Sequence, residues 1–578
     1  MLQGLVNRVR RSLYGRGFTV WYDPAYRLPL THLEAQTGFL TRRADYAWWF
    51  LLERRVVQAR NLRTPRRVEY AELARVHTPD LLASLGRPET LAAIWSLDSA
   101  DVPVDEVMNT VRLACGATVD AARELVREGH DGNPRRALNL LGGFHHAGRN
   151  TAGGFCPVND IAVAVAAVRA EGFRGQVVVL DLDAHPPDGI ADCLQDDPAV
   201  FIGSISGATW GPLPKVDETV LPEGTGDVPY LRALESLLGR LPRAGLAFVV
   251  AGGDVLAGDP LGRLGLTLSG CRERDLLVSD ALFRTPSVWL PAGGYTPDAW
   301  RVLAGTGLSL AVRSRAPISP RYDPLVARFS SVARSLLPEK LGAHGSADAE
   351  LARDLGLSGP GGMLFLGYYS AEGLEHALER YGILPELRRL GYGPFEVHVS
   401  EPGVGQSARL VDTLTGEALI EVVLEKKRIG GAELLYVHWL SLRHPRGHFS
   451  AARERLPGQD VPGLGLAREM TEILVRIAKR LGLEGLAMRP SAYHLAFQGR
   501  EVLQFVDPAR QGRFEALTRD LGRLPLTELT KAVAEGKVRM NGQPYAWEPD
   551  EMVRWLLPRP PERAAIEEEM ARVRFELG

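Results

Sequence analysis

The stretch Val177-Val178-Val179-Leu180-Asp181-Leu182-Asp183-Ala184-His185-Pro186-Pro187-Asp188-Gly189 changes character halfway along. Its first four residues are apolar and mostly β-branched, the composition of a strand covered on both faces. Asp181, Asp183 and His185 then place three metal-capable side chains at alternate positions, where the strand should end. Two prolines and a further carboxylate, Asp188, follow. By itself the stretch admits a metal site, a carboxylate pair or a polar strand end.

Working outward, similar runs recur at 200–206 (VFIGSIS), 246–254 (LAFVVAGGD) and 287–295 (SVWLPAGGY). Each is rich in Val, Ile, Leu or Phe and carries polar or glycine residues at its C-terminal end, and helical patterns separate them between about Gly17 and Ile318. This implies an α/β domain with a mostly parallel sheet and flanking helices, and such sheets bind ligands at their C-terminal strand ends.

The bulk composition narrows the function classes. The chain has 578 residues, more than one core usually serves. Its net charge of −2 provides no basic field for nucleic acid. Cys115, Cys156, Cys193 and Cys271 form no C-x-x-C pair, so a disulfide framework or thiolate zinc site is not expected and a reducing cytoplasm is. No apolar run reaches the ~18 residues of a membrane span. The basic N-terminal segment lacks the apolar core and cleavage site of a signal peptide and reads as a short amphipathic lead-in.

The expected domains are 1–341, a linker over 342–362, and an α+β domain over 363–578 ending in a charged helical tail. In the second domain a strand is expected at MLFLGYY (363–369), followed by two helices and then antiparallel strands through FEVHVSE, ARLVDTLTGEALIEVVLEKKRI and ELLYVHWLSLRH. Gly416 and Gly430-Gly431 mark their turns. A helix is expected through LAREMTEILVRIAKRLGL, and a strand at GLAMRPSAYHLAF carrying His494. His438 and His494 read as strand residues facing a core or partner.

Four segments of the first domain converge chemically: GGFHHA (142–147), GGFC (153–156), the opening stretch, and the pair GGDVLAGDPLG (252–262) and GGY (293–295). Alone, each has a plain reading as a cap, a satisfied histidine or a turn. Together they sit at strand ends of one sheet, where a site belongs. Asp183, His185 and Asp254 could share one metal, and two carboxylates with one imidazole leave zinc an open position for water and substrate. A nearby histidine could move the water's proton and a tyrosine hydroxyl could hold a developing oxyanion.

These segments resemble the zinc-dependent histone deacetylase family, with its arginase/deacetylase fold, and most closely the class IV branch. The similar phrases are LGGFHHAGRNTAGGFC, VVLDLDAHPPDG and GGDVLAGDPLGRLGLTLSG, with ELARVHTPDLL (72–82) resembling the family's N-terminal region. The resemblance covers roughly 17–318. It implies a zinc-dependent amidohydrolase that removes an acyl group from lysine or a related amine. It implies Asp183, His185 and Asp254 as zinc ligands. His145 and His146 become the tandem histidines, with His146 as general base and acid, Asp181 and Asp188 as their supporting carboxylates, and Tyr295 as the group polarising the scissile carbonyl. Gly154 and Phe155 match the acyl-lysine channel wall. A K+ site would use Asp181, Ser204 and the carbonyls of Asp183, His185 and Ile205. The partners implied are an acyl-lysine protein, an acylated polyamine or a small acylated amine, with no nucleic acid or membrane.

The departures are specific. Pro186-Pro187 replaces the family's usual His-Gly or Gln-Gly, which puts the reach of Asp188 to His146 in question. Ser206 stands where the family often has histidine. The substrate-gripping aspartate of the rim has only Asp98 and Asp101 as candidates. Cys156 and Cys193 read as small buried residues rather than nucleophiles.

The second domain's element order resembles the GNAT acyltransferase superfamily. Gly463 and Gly465, opening a helix in QDVPGLGLAREM, are the residues at which acyl-CoA would sit. Asp460 and Pro462 depart from that pattern. The alternatives to a deacylase are a catalytically silent binder of acylated ligands and a two-enzyme chain with an acyltransferase at its C-terminus.

Overall fold

The computed structural model describes residues 6–7, 9–10, 12, 14–15, 17–30, 33–99, 102–127, 135–342, 363–449, 454–557, 559 and 562–578. They form two compact units, Met1–Pro324 and Leu325–Gly578.

The first unit is built on eight strands: β1 (Phe18–Trp21), β2 (Leu62–Arg63), β3 (Arg136–Asn139), β4 (Val177–Asp181), β5 (Val200–Ser206), β6 (Val216–Val220), β7 (Leu246–Val250) and β8 (Ser287–Leu290). All pair in parallel, in the order β2-β1-β3-β8-β7-β4-β5-β6. Every residue of β3, β4, β7 and β8 is buried, as expected for central strands covered on both faces. The helix Val104–Arg127 packs with Asp160–Ala170 and against β3, β7 and β8, while Leu268–Ala281 packs with Asp227–Leu238 and Ala299–Val312. Four of the eight strands come from the apolar runs. β1, β2 and β3 are at most four residues long, and β6 (VDETV) is a partly exposed edge whose polar composition hides it.

The order of the sheet places the site. β3, β8, β7 and β4 are consecutive neighbours, and Asp181 at the end of β4 pairs with Val250 at the end of β7. The segments after these four strands therefore emerge side by side at one edge, although 150 residues of sequence separate the first from the last.

The second unit begins earlier than the expected boundary at 341. The helix Pro324–Ser335 stacks Phe329 on Tyr381, with ring centroids 4.8 Å apart. Arg480 donates to the carbonyls of Ala333 (2.7 Å) and Leu336 (3.2 Å), so these residues are tied to the later helices. The expected linker lies outside the described residues except for Gly342.

Its main sheet runs β14-β17-β13-β12-β11-β10-β9, from β9 (Phe395–Ser400), β10 (Gln406–Asp412), β11 (Ala418–Ile429), β12 (Ala432–Leu442), β13 (Gly485–Met488), β14 (Gln504–Phe505) and β17 (Met552–Trp555). Only β12 and β13 pair in parallel, and the helix Ala467–Arg480 connects them. A small sheet joins β15 (Val538–Met540), β16 (Gln543–Pro544) and β18 (Phe575–Leu577).

Two expectations here are corrected. The stretch 363–369 is a tight turn closed by a Phe365–Tyr369 bridge. Leu366 and Gly367 both have positive φ (56° and 70°), which no strand can accommodate. The strand at 485 stops at Met488, and Tyr493–Gly499 is helical, so His494 lies on a helix, where it is buried. The charged tail, expected as a helix forming a solvated face or a packing arm, is the helix Arg563–Arg572, which buries Ile566 and Glu569 and is followed by β18.

Candidate active site

At the shared edge, Asp183 and His185 follow β4, and Asp254 follows β7. One ligand-capable atom from each of the three lies within 4.8 Å of the others. His185 Nδ1 is 3.1 Å from Asp183 Oδ1 and 2.9 Å from Asp254 Oδ2. Asp183 and Asp254 are fully buried. Two buried carboxylates this close repel each other, and burial together with Asp183 pushes Asp254 up to about 7. A cation among them removes that conflict. Backbone amides fix the carboxylates: Gly293 donates to Asp183 (2.9 Å), and Ala184 donates to Asp254 (3.1 Å). A Cβ on Gly252 or Gly293 would stand 2.6 to 2.8 Å from these carboxylate oxygens. The glycines therefore leave the space that the paired ligands fill. The donor set, two carboxylates and an imidazole, suits zinc with one position open.

The tandem histidines follow β3. His145 Nδ1 donates to Asp181 at 2.9 Å, and His146 Nδ1 donates to Asp188 at 2.7 Å. The two rings are 3.9 Å apart. Each histidine is thus held through Nδ1, leaving Nε2 for chemistry. Their electrostatics differ. Burial opposes charge on His145, but Asp181 and Asp183 outweigh it and raise its pKa to about 9. Burial and then the adjacent His145 lower His146 to about 4. Environments that separate two titrating neighbours in this way also separate their roles.

The prolines do not keep Asp188 away from His146. Pro187 occupies the position just before the helix Asp188–Leu194, where no intrahelical N–H is required. Asp188 N donates back to Pro186 O (3.0 Å), and Ile190 N donates to His145 O (3.0 Å). The turn therefore delivers Asp188 at the start of a helix docked under the histidine loop.

Tyr295 follows β8 and is buried, with its ring 5.3 Å from Phe155 and 6.3 Å from Phe39. Burial and then Asp183 and Asp254 hold its hydroxyl well above the usual phenol range, so it remains a proton donor. Phe155 sits at φ 64° beside Gly154 at φ 54°. Its ring is 5.8 Å from Trp95.

Several contributors escape motif reading. Trp210 is half exposed and lies 5.0 Å from the His146 ring and 6.2 Å from His185; it stands in the Gly/Pro-rich loop GATWGPLP, which offers no spacing signal. Arg43 donates to the carbonyls of Ala292 and Gly293 and lines a small cavity with Leu141, Phe155 and Tyr295. Asp160 accepts from the amides of Gly143 and Phe144, and Asp259 accepts from that of Tyr295 (2.7 Å). An aspartate at the first position of a helix after GGFC was the available sign for Asp160.

The remaining candidates separate clearly. Ser204 pairs in register with Asp181, and its buried Oγ has no hydrogen-bond partner among the described residues. Ile205 lies beside it on β5 and is fully buried. Ser206 donates to Glu218 (2.9 Å) and to Ala208 O. Asp98 is exposed, three residues beyond Trp95, and Asp101 lies outside the described residues. Burial pushes the Cys156 thiol well up and that of Cys193 to about 12, which suits packing rather than nucleophilic attack. Gly463 bridges to Arg443 at the approach to the helix Ala467–Arg480, and Gly465 has φ 70°. Asp460 is drawn to Arg443 at 2.7 Å. On β12, His438 is 2.8 Å from Glu425.

Residues 39–308 match the histone deacetylase domain model. An uncharacterized protein of Picosynechococcus is 32% identical over 295 residues, covering 49% of this chain and 93% of that protein. Histone deacetylase 2 of Arabidopsis thaliana is 28% identical, covering 50% of this chain and 76% of its own. The acetoin utilization protein AcuC of Bacillus subtilis is 27% identical, covering 49% and 78%. Among solved structures, a histone deacetylase homologue complexed with SAHA aligns at TM-score 0.44 and 23% identity, covering 51% of this chain and 84% of that one.

Proposed function

The chain belongs to the histone deacetylase family, and we propose that its first unit is a zinc-dependent deacylase hydrolysing the amide of an acylated lysine or related amine. The observation that carries this reading is the buried Asp183–His185–Asp254 trio standing beside two carboxylate-held histidines. Bound zinc supplies Lewis acidity, lowering the pKa of a water and polarising a carbonyl. His146, neutral above about pH 4, accepts the attacking water's proton at Nε2 and returns it to the departing amine. His145, held through Nδ1 by Asp181, packs its ring 3.9 Å from that of His146 and presents Nε2 toward the same space. Tyr295 donates its hydroxyl to the oxyanion. Phe155 and Trp210 offer aromatic faces to the methylene chain of a lysine-like substrate. Ser204, Asp181 and the nearby carbonyls of Asp183, His185 and Ile205 hold K+ in this reading.

The test is purified full-length protein assayed for metal and with fluorogenic acyl-lysine substrates of increasing chain length. About one zinc per chain and turnover that chelation abolishes and zinc restores are expected. Full activity without zinc excludes the mechanism, while intact zinc with no turnover on any chain length favours a silent binder of acylated ligands. The resemblance to class IV makes long acyl chains worth including.

A second reading concerns the second unit. Its helix Ala467–Arg480 joins the parallel neighbours β12 and β13, which pair only over Leu434–Val437 and Gly485–Met488. The Gly463-x-Gly465 turn opens that helix, and Arg443 draws off the Asp460 carboxylate that would oppose a phosphate. This supports acyl-CoA binding there. Calorimetric titration of acetyl-CoA into the whole chain is expected to show saturable binding that Gly465→Ala weakens about tenfold or more, because Gly465 has a positive φ. No heat of binding up to millimolar concentrations rejects it.

A further inference from the structure

We propose that Arg274 is a positioning residue that sets the spacing between the two carboxylate ligands. The proposal rests on the metal reading above.

Arg274 lies on the helix Leu268–Ala281 and is completely buried. Its Nη1 donates to Gly252 O at 2.8 Å and Leu182 O at 3.4 Å, and its Nη2 donates to Ala251 O at 3.3 Å. Leu182 immediately precedes Asp183, and Gly252 stands two residues before Asp254. One planar guanidinium thus grips the backbone of both ligand-bearing loops just where they leave β4 and β7. Its own charge and orientation are held by Asp275, whose Oδ1 accepts from Nε at 2.9 Å. Asp275 Oδ2 accepts from Thr306 on the neighbouring helix at 2.6 Å. Tyr230 reaches the same Leu182 carbonyl at 3.5 Å.

Three features separate this from an ordinary buried ion pair. A buried charge pair is a poor way to stabilise a core, since apolar replacements of similar volume often do as well. The guanidinium donates to carbonyls of both chain segments and adds a rigid side-chain tie behind the ligands to the Leu182 N–Val250 O and Ala184 N–Asp254 Oδ1 bonds that already join them. A lysine ammonium is a point donor without the rigid fork and cannot reproduce the span. Neither ligand touches Arg274 directly, so its influence on the metal passes through backbone position.

The test compares Arg274→Lys and Arg274→Met with the native chain and with Arg272→Lys. Arg272 is another buried arginine of the same helix, bonded instead to Ser314 O and Ala316 O. Three quantities are read: the zinc Kd by competition with a chromogenic chelator, the visible spectrum of the cobalt-substituted protein, and the melting temperature of the metal-free chain. Arg274→Lys is expected to weaken zinc by about 10- to 100-fold, in the range of other changes behind the ligands, and to shift the cobalt bands. Arg272→Lys is expected to lower melting while leaving Kd and spectrum unchanged. Should Arg274→Met fail to fold, Arg274→Lys decides, joined by Asp275→Asn, which loosens the guanidinium without removing it. Native Kd and native cobalt bands in a folded Arg274→Lys chain overturn the proposal, as does an equal loss in Arg272→Lys. A native chain that binds neither zinc nor cobalt defeats the metal reading itself, and the positioning role with it.

Discussion

Asp254→Ala is expected to purify without bound metal and to lose at least ~10³-fold in kcat/KM, the equivalent of about 4 kcal/mol of transition-state stabilisation. Asp254 is fully buried, contacts His185 Nδ1 through Oδ2 at 2.9 Å and accepts from Ala184 N through Oδ1 at 3.1 Å. In the proposed zinc site its removal takes away one of two anionic ligands, and it unties the turn carrying His185. Asp254→Asn separates these effects, because an amide oxygen can still accept from Ala184 while the negative charge is gone. Both variants should therefore lack metal, and only the alanine should lower the melting temperature of the metal-free chain appreciably. Elemental analysis with circular dichroism and steady-state kinetics provides the check. Retained stoichiometric zinc in either variant assigns the metal elsewhere.

His146→Ala is expected to cost about 10²- to 10⁴-fold in kcat with the metal still bound, the usual worth of a positioned acid–base group. The pH dependence distinguishes this role from mere packing. Burial and the adjacent His145 depress His146 to about 4. The native enzyme's acidic limb should thus lie near that value, well below the ~6.5 of an unperturbed histidine. As pH falls through this limb, His146 gains a proton, can no longer accept one, and kcat/KM declines. In the variant this inflection should vanish. The same depression links to stability: an imidazole that prefers to be neutral when folded contributes fully above the unfolded pKa, and that contribution is lost as pH falls from ~6.5 toward 4. An unchanged acidic limb in His146→Ala means another group accepts the proton. Asp188 is what holds the His146 ring, so the prolines before it preserve the catalytic geometry in this reading.

Much of the site was legible residue by residue. Asp183, His185, Asp254, the two histidines and Tyr295 stand next to glycines at the ends of apolar runs, because a buried parallel strand needs apolar residues and a close-packed site at its end needs glycines. What was not legible has equally definite causes. β1, β2 and β3 are too short to show periodicity, and β6 is too polar. The stretch 363–369 has a strand's composition, but its positive-φ turn is a backbone property that composition does not express. Tyr493–Gly499 follows a strand so closely that the helix was absorbed into it.

The sequence by itself determined the parallel α/β class, the identities of the metal-capable trio and the histidine pair, and the family. Those properties are local, written in residue type and short-range order. The tertiary structure decided that Asp188 reaches His146 past two prolines, that Trp210 and Arg43 border the site, and that Arg274 joins two loops from the helix Leu268–Ala281. These depend on the neighbour order β3-β8-β7-β4 and on turn geometry. Long-range contacts are set by how strands pair and helices dock, which no spacing along the chain records.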